Sequence, residues 1–239
     1  MTFDTSFSRR SFLTLLGAGT ASTLAGCAST TPGSGGTVIT YRDGISTMPP
    51  EMAGGDSEAA MMYGSVADGG FVIPAIPYQK INPRYYRQRV LDPTGERPGT
   101  IVVDTPSRFL YLVEPGGSAM RYGVGIGREG FSWSGEGVIQ WKQKWPKWTP
   151  PDEMVARQPE LTKYSAKNGG MAPGLNNPLG ARALYIFQNG QDTLYRLHGS
   201  PEWNSIGKAV SSGCVRLMNQ DIIDLYERVP NKTRIVVWQ

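Results

Sequence analysis

Residues 100–113 read Thr100-Ile101-Val102-Val103-Asp104-Thr105-Pro106-Ser107-Arg108-Phe109-Leu110-Tyr111-Leu112-Val113. Two runs of β-branched, aromatic and aliphatic residues flank a Thr-Pro-Ser break, so the stretch reads as two strands, 100–104 and 109–113, joined by a hairpin turn. Outward from it the pattern repeats. Gly116-Gly117 supplies the next turn, 119–126 a third strand and 137–141 a fourth. Strands resume over 183–188 and 194–198, and 233–238 closes the domain. In 221–229 the apolar residues Ile222, Ile223, Leu225, Tyr226 and Val229 follow helical spacing instead, with Asn219 placed to cap that helix and Pro230 to end it. Successive hairpins imply an antiparallel, mostly β domain. Thirty glycines and eighteen prolines, about a fifth of the 239 residues, fit many turns between short strands.

Between the fourth and fifth strands lies a long excursion, 142–180. Pro150-Pro151 before Asp152-Glu153 marks a helix start, with a short helix expected over 154–158 and loop over 168–180. Long irregular insertions tend to be functional. Trp145, Trp148 and Tyr164 are candidates for the wall of a substrate cleft, and Arg182 just beyond is another. On the N-terminal side, 76–97 is basic and aromatic and reads as an irregular lead-in to a catalytic domain over 98–239. Residues 28–75, rich in Ser, Thr, Gly and Pro, read as a flexible tether.

Residues 1–27 read as an address. Arg9-Arg10 followed by Phe12-Leu13 and a short apolar run resembles a twin-arginine export signal. That run is too short and too rich in small residues to span a membrane, which takes about 20 apolar residues. It ends Leu24-Ala25-Gly26-Cys27, which resembles a lipoprotein processing site with Cys27 as the lipidated residue. The expected location is the periplasm, with the membrane touched only through that lipid.

The net charge is +4, from 24 Lys and Arg against 20 Asp and Glu. The basic residues are scattered, which argues against nucleic acid as a partner and is compatible with an anionic wall polymer. The chain has two cysteines and one histidine. If Cys27 is consumed in processing, Cys214 has no cysteine left to pair with, and a lone thiol in an oxidising compartment invites a chemical role. One His and no Cys/His cluster leave too few ligands for a metal site. No Gly-x-Ser-x-Gly elbow supports a serine hydrolase.

The chemistry concentrates in Leu197-His198-Gly199-Ser200 and, 16 residues after His198, in Ser211-Ser212-Gly213-Cys214-Val215-Arg216-Leu217. A thiol with an ordinary pKa near 8.5 is mostly protonated at neutral pH, and an imidazole beside it can take its proton. The thiolate attacks a carbonyl and the imidazolium then protonates the leaving amine. Gly213 permits close backbone approach, so that N–H groups around Gly213 and Cys214 can hold an oxyanion. A buried structural His and a small hydrophobic Cys are the bland alternative.

These two segments resemble the catalytic motif of the L,D-transpeptidase (YkuD) family: His-Gly, a spacer, then Ser/Thr-x-Gly-Cys-aliphatic-Arg/Asn-Met/Leu. Ser205-Ile206-Gly207 in the spacer and Met218-Asn219-Gln220-Asp221 with Leu225-Tyr226 after it also fit. The likeness runs over roughly 98–238. It implies a mostly β, mixed-sheet domain, sandwich- or barrel-like, with a few short helices. It further implies that Cys214 is the nucleophile and His198 the base, with Ser211, Ser212, Gly213 and Gly199 as motif residues around the oxyanion. Peptidoglycan tetrapeptide stems would be the donors, carbapenem-type compounds inhibitors, and no metal or cofactor would take part. Ser212 stands where many members carry a second His. Arg216 is a candidate for holding a substrate carboxylate or for bracing the loop. Two other readings stay open: an L,D-carboxypeptidase that passes the same thioester to water, and an inactive wall-binding module.

Overall fold

A computed structural model describes residues 55–127, 133–211 and 213–239. The export signal, Cys27 and residues 28–54 lie outside the described residues, as does Ser212. The elements in chain order are α1 (Gly55–Met62), β1 (Val66–Asp68), β2 (Phe71–Ile73), β3 (Gln88–Leu91), β4 (Ile101–Asp104), β5 (Phe109–Glu114), β6 (Ser118–Gly123), β7 (Ile126–Gly127) and β8 (Gly135–Lys144). They continue as α2 (Asp152–Arg157), β9 (Arg182–Gln188), β10 (Gln191–Ser200), β11 (Ala209–Ser211), β12 (Val215–Met218), α3 (Asn219–Arg228) and β13 (Thr233–Trp238).

Nine strands form one sheet in the order β12-β10-β9-β8-β13-β4-β5-β6-β3. The β4–β5 hairpin turns where the sequence placed it, with the Ser107 N–H donating to Asp104 Oδ1 at 2.9 Å. Side chains alternate between the two faces, as a pleated strand requires. Ile101, Val103, Leu110 and Leu112 point into one core, and Val102, Phe109, Tyr111 and Val113 into another on the opposite face. The first core also takes Tyr122 of β6, Ile139 of β8 and Leu197 of β10, together with Val215 and Leu217 of β12. For both flanks of the sheet to share one core, the sheet must curl. Just past β6 the backbone of Gly125 bonds in both directions to Arg216 of β12, at 2.9 and 2.8 Å, which gives the curl a barrel-like closure. Ile222 and Leu225 of α3, with Val229 just past its end, plug the curled core.

Several expectations need correction. The run of hairpins alone suggests an antiparallel sheet, but the sheet is mixed, as the family resemblance implies: β10 runs parallel to β12, and β13 parallel to β4. The sequence analysis names no strand at β12, because Val-Arg-Leu-Met is too short a run to declare itself. Asn219 does not cap α3. Met218 holds the cap position without a side-chain bond, and Asn219 Oδ1 instead accepts from the Ala181 N–H at 2.9 Å.

The expected tether, 28–75, is ordered over its described part. Tyr63 of this stretch joins Ile76, Ile81 and Met218 in a buried cluster, and the β1–β2 hairpin packs beside Trp145 and Ala181. A carboxylate of that hairpin, Asp68, receives both terminal nitrogens of Arg182 at 2.7 and 2.8 Å and the Trp145 indole N–H at 2.7 Å. Tyr63 also leans on α3, its hydroxyl 3.4 Å from Asp221 Oδ2. Full burial pushes the Asp221 carboxyl up to about 7, with Arg87 opposing the rise.

Removing the Asp68 carboxylate leaves the Arg182 guanidinium, whose side chain is 1% exposed, buried without its counter-ion. Asp68→Ala is expected to cost about 3 kcal/mol of unfolding free energy in urea titrations. A change under about 1 kcal/mol, the size of a surface pair, would show that the hairpin is not held by this bond.

Candidate active site

β10 carries His198 between Ala183 of β9 and Arg216 of β12. The ring is 5% exposed, and its Nδ1 lies 2.6 Å from the carbonyl oxygen of Gly199. A carbonyl can only accept, so Nδ1 carries the proton and the lone pair of the neutral ring lies on Nε2. Burial pulls the imidazole down to about 4; the Gly199 and Pro178 carbonyls pull the other way, and the Arg216 and Arg196 charges add to the fall. At neutral pH the ring is an uncharged base.

Cys214 is half-buried and stands one residue before β12. Leu197 pairs with Val215 and His198 with Arg216. The same register places Cys214 beside Arg196, and the two-residue period turns Cys214, Arg196 and His198 to one face of the sheet, opposite the core that holds Leu197 and Val215. Burial pushes the thiol up, while the backbone N–H of Arg196 and the Arg196 and Arg216 guanidiniums pull it down. The resting pair is therefore thiol and neutral imidazole. Such a pair can pass a proton from sulfur to Nε2 when an electrophile arrives.

The neighbourhood holds these groups still. A Cβ on Gly199 would lie 2.3 Å from Asn219 Oδ1 and 2.9 Å from Ile222, so only glycine lets that carbonyl sit against His198. Asn177, fully buried, donates from Nδ2 to the carbonyls of Pro146 and Ala172, both at 3.0 Å. It thereby anchors the loop that carries Pro178. Gly213 has φ 131°, in the range that favours glycine, while the nearest atom to a Cβ there would be 3.6 Å away. Conformation, not crowding, is what the residue before the thiol requires.

The remaining sequence candidates divide. Ser211 ends β11, which pairs with β7. The Arg216 guanidinium meets Glu202 at 2.6 Å, the geometry of a brace for the strand that follows the thiol. Trp148 and Tyr164 pack on one another within the insertion, ring centroids 6.3 Å apart. Arg182 does not line a cleft. It is buried, and Asp68 and the Ala181 carbonyl take its terminal nitrogens. Arg196 carries no motif of its own in the sequence, although its place two residues before His198 in a strand puts it on the same face. Pro178 gives no local signal, and Asn219 reads from the sequence as a helix cap rather than as the neighbour of Gly199 that it is.

A neutral imidazole and a thiol thus share one face of a curled β-sheet. The chain belongs to the L,D-transpeptidase (YkuD) family: the family model for the L,D-transpeptidase catalytic domain matches residues 98–237. The "Probable L,D-transpeptidase ErfK/SrfK" of Escherichia coli K12 is 34% identical over 158 residues, 63% of this chain and 47% of that protein. A solved structure from Brucella melitensis, described as a "Probable carnitine operon oxidoreductase", is 42% identical and covers 64% of this chain and 94% of its own, with a TM-score of 0.46. An L,D-transpeptidase from Mycobacterium smegmatis is 14% identical over 73% of this chain and 66% of its own, with a TM-score of 0.43. The chain spans about half the length of the curated relatives it matches.

His198 is the chain's one histidine, so its imidazole C–H resonances need no assignment. They are expected to titrate with a midpoint of about 4, and a midpoint near the ordinary 6.5 would contradict a buried neutral base. The folded ring binds its proton more weakly than the unfolded one. Its contribution to stability is thus full above about 6.5 and shrinks as pH falls toward 4.

Proposed function

We propose that this protein is an L,D-transpeptidase that acts on peptidoglycan tetrapeptide stems through a thioester on Cys214. The observation that carries the reading is the Nδ1–Gly199 hydrogen bond, which fixes His198 as a neutral base whose free nitrogen shares a face with Cys214. Nε2 takes the thiol proton as sulfur attacks the carbonyl of the third stem residue. Backbone N–H groups at Gly213 and Cys214 hold the oxyanion. The imidazolium, steadied by the Gly199 and Pro178 carbonyls, gives its proton to the nitrogen of the departing D-alanine, and the thioester remains. An amine then attacks the thioester, Nε2 takes the amine's proton, the new amide forms, and the proton returns to sulfur.

The acceptor is the side-chain amine of a second stem, giving a 3-3 crosslink, or an amine of an anchored protein. Water in its place gives an L,D-carboxypeptidase. Arg216 serves the loop more than the substrate, since Glu202 engages it. Trp148 and Tyr164 wall the donor cleft. The protein works in the periplasm, exported by the twin-arginine-type signal and held by lipid on Cys27. The relatives named as L,D-transpeptidases support the reaction class.

Incubation of the purified enzyme with disaccharide-tetrapeptides should yield crosslinked dimers, one D-alanine released per bond. Tripeptides without dimers would replace this reading with the carboxypeptidase. Cys214→Ala should form no adduct with a carbapenem by intact-mass measurement, and normal adduct formation would exclude Cys214 as the nucleophile.

A further inference from the structure

The row of side chains that contains Cys214 continues across the sheet. Arg196 pairs with Tyr185 on β9, and Tyr185 with Trp141 on β8. The three stack in order. The indole lies on the Tyr185 ring at 3.6 Å between centroids and 8° between planes, and the Arg196 guanidinium covers that ring at 4.5 Å. Asp192 locks Arg196 through two bonds of 2.7 Å, and the Tyr185 hydroxyl donates to Gln143 Oε1 at 3.1 Å. Tyr185 is 9% exposed but Trp141 is 40% exposed. β13 pairs with β8 only from Gly135 to Ile139, so no described strand flanks Trp141 on its outer side.

A rigid stack with one large open indole exceeds what cross-strand pairing needs. We propose that Trp141, backed by Tyr185 and Arg196, is a saccharide subsite that takes an N-acetylated amino sugar of the glycan strand bearing the donor stem. This rests on the transpeptidase reading given above. The positively polarised C–H face of a pyranose suits the negative face of an indole, and the Arg196–Asp192 pair and Gln143 beside it offer donors and acceptors for hydroxyl and acetamido groups.

The distance agrees. From Cys214 to Trp141 is three strand steps, about 14 Å at roughly 4.8 Å each. A donor acylated at its third residue places three residues, about 10 Å when extended, between the thioester and the linkage to the sugar. The remaining gap of about 4 Å falls to the linkage and the first sugar ring itself, which then reaches the indole.

The test is a binding measurement by calorimetry on the full chain carrying Cys214→Ala, so that no turnover intervenes. Disaccharide-tetrapeptide is expected to bind at least about tenfold more tightly than the same tetrapeptide without sugar. Adding Trp141→Ala removes that difference, and Trp141→Phe, which keeps the stack with a smaller ring, retains part of it. Equal affinities in the Cys214→Ala protein, or a sugar preference that survives loss of the indole, would overturn the subsite. If Trp141→Ala does not fold, an undiminished preference in Trp141→Phe overturns it. Turnover of the same ligands by the unaltered enzyme is followed in parallel. Sugar-dependent binding without any D-alanine release would sink the transpeptidase reading and leave the subsite standing.

Discussion

The parallel pairing of β10 with β12 is the constraint on which the rest of the molecule depends. Four consecutive pairs, Leu197 with Val215 through Ser200 with Met218, fix a register in which a slip of one residue would exchange the core side chains for the reactive ones. Leu197, Val215 and Leu217 are fully buried in the main core, so apolar burial enforces the register that sets His198 and Cys214 on the opposite face. The two-way bond between Gly125 and Arg216 pins β12 from its other side. Chemistry and folding thus draw on one set of contacts.

Burial has opposite effects on the two reactive groups. It makes the imidazole a weaker base and the thiol a weaker acid, so both are neutral at rest. A neutral thiol is less exposed to adventitious oxidation than a standing thiolate. In the proposed reaction the Gly199 carbonyl contributes twice: it selects the tautomer beforehand, and it would stabilise the imidazolium as charge develops. Asn219, which occupies the space a side chain on Gly199 would need, and Asn177, which collects the insertion's carbonyls, hold the surrounding backbone in place.

Much of this was legible in the sequence because it is local. Phe109-Leu110-Tyr111-Leu112-Val113 and Thr233 to Trp238 announce strands by composition, and the His-Gly and Gly-Cys segments announce a thiol–imidazole site by residue type. What was not legible is long-range. Asp68 meets Arg182 across 114 positions, and nothing in a Gly- and Ser-rich stretch predicts that one carboxylate will bury a guanidinium. The same partner shows why Arg182 reads from sequence as a cleft residue and proves to be part of the scaffold. The row from Cys214 to Trp141 depends on strand register and on an irregularity between Ile139 and Trp141, which periodicity alone does not reveal.

The central claim is that the acyl group of the donor stem passes through Cys214. The direct measurement is acid-quenched intact mass and peptide mapping of the enzyme mixed with a tetrapeptide donor whose side-chain amine is blocked. The account predicts a mass gain equal to the stem acyl group without its D-alanine, confined to the peptide that contains Cys214 and removed by hydroxylamine. An unmodified enzyme that nonetheless releases D-alanine, or an adduct on any other residue, would contradict it.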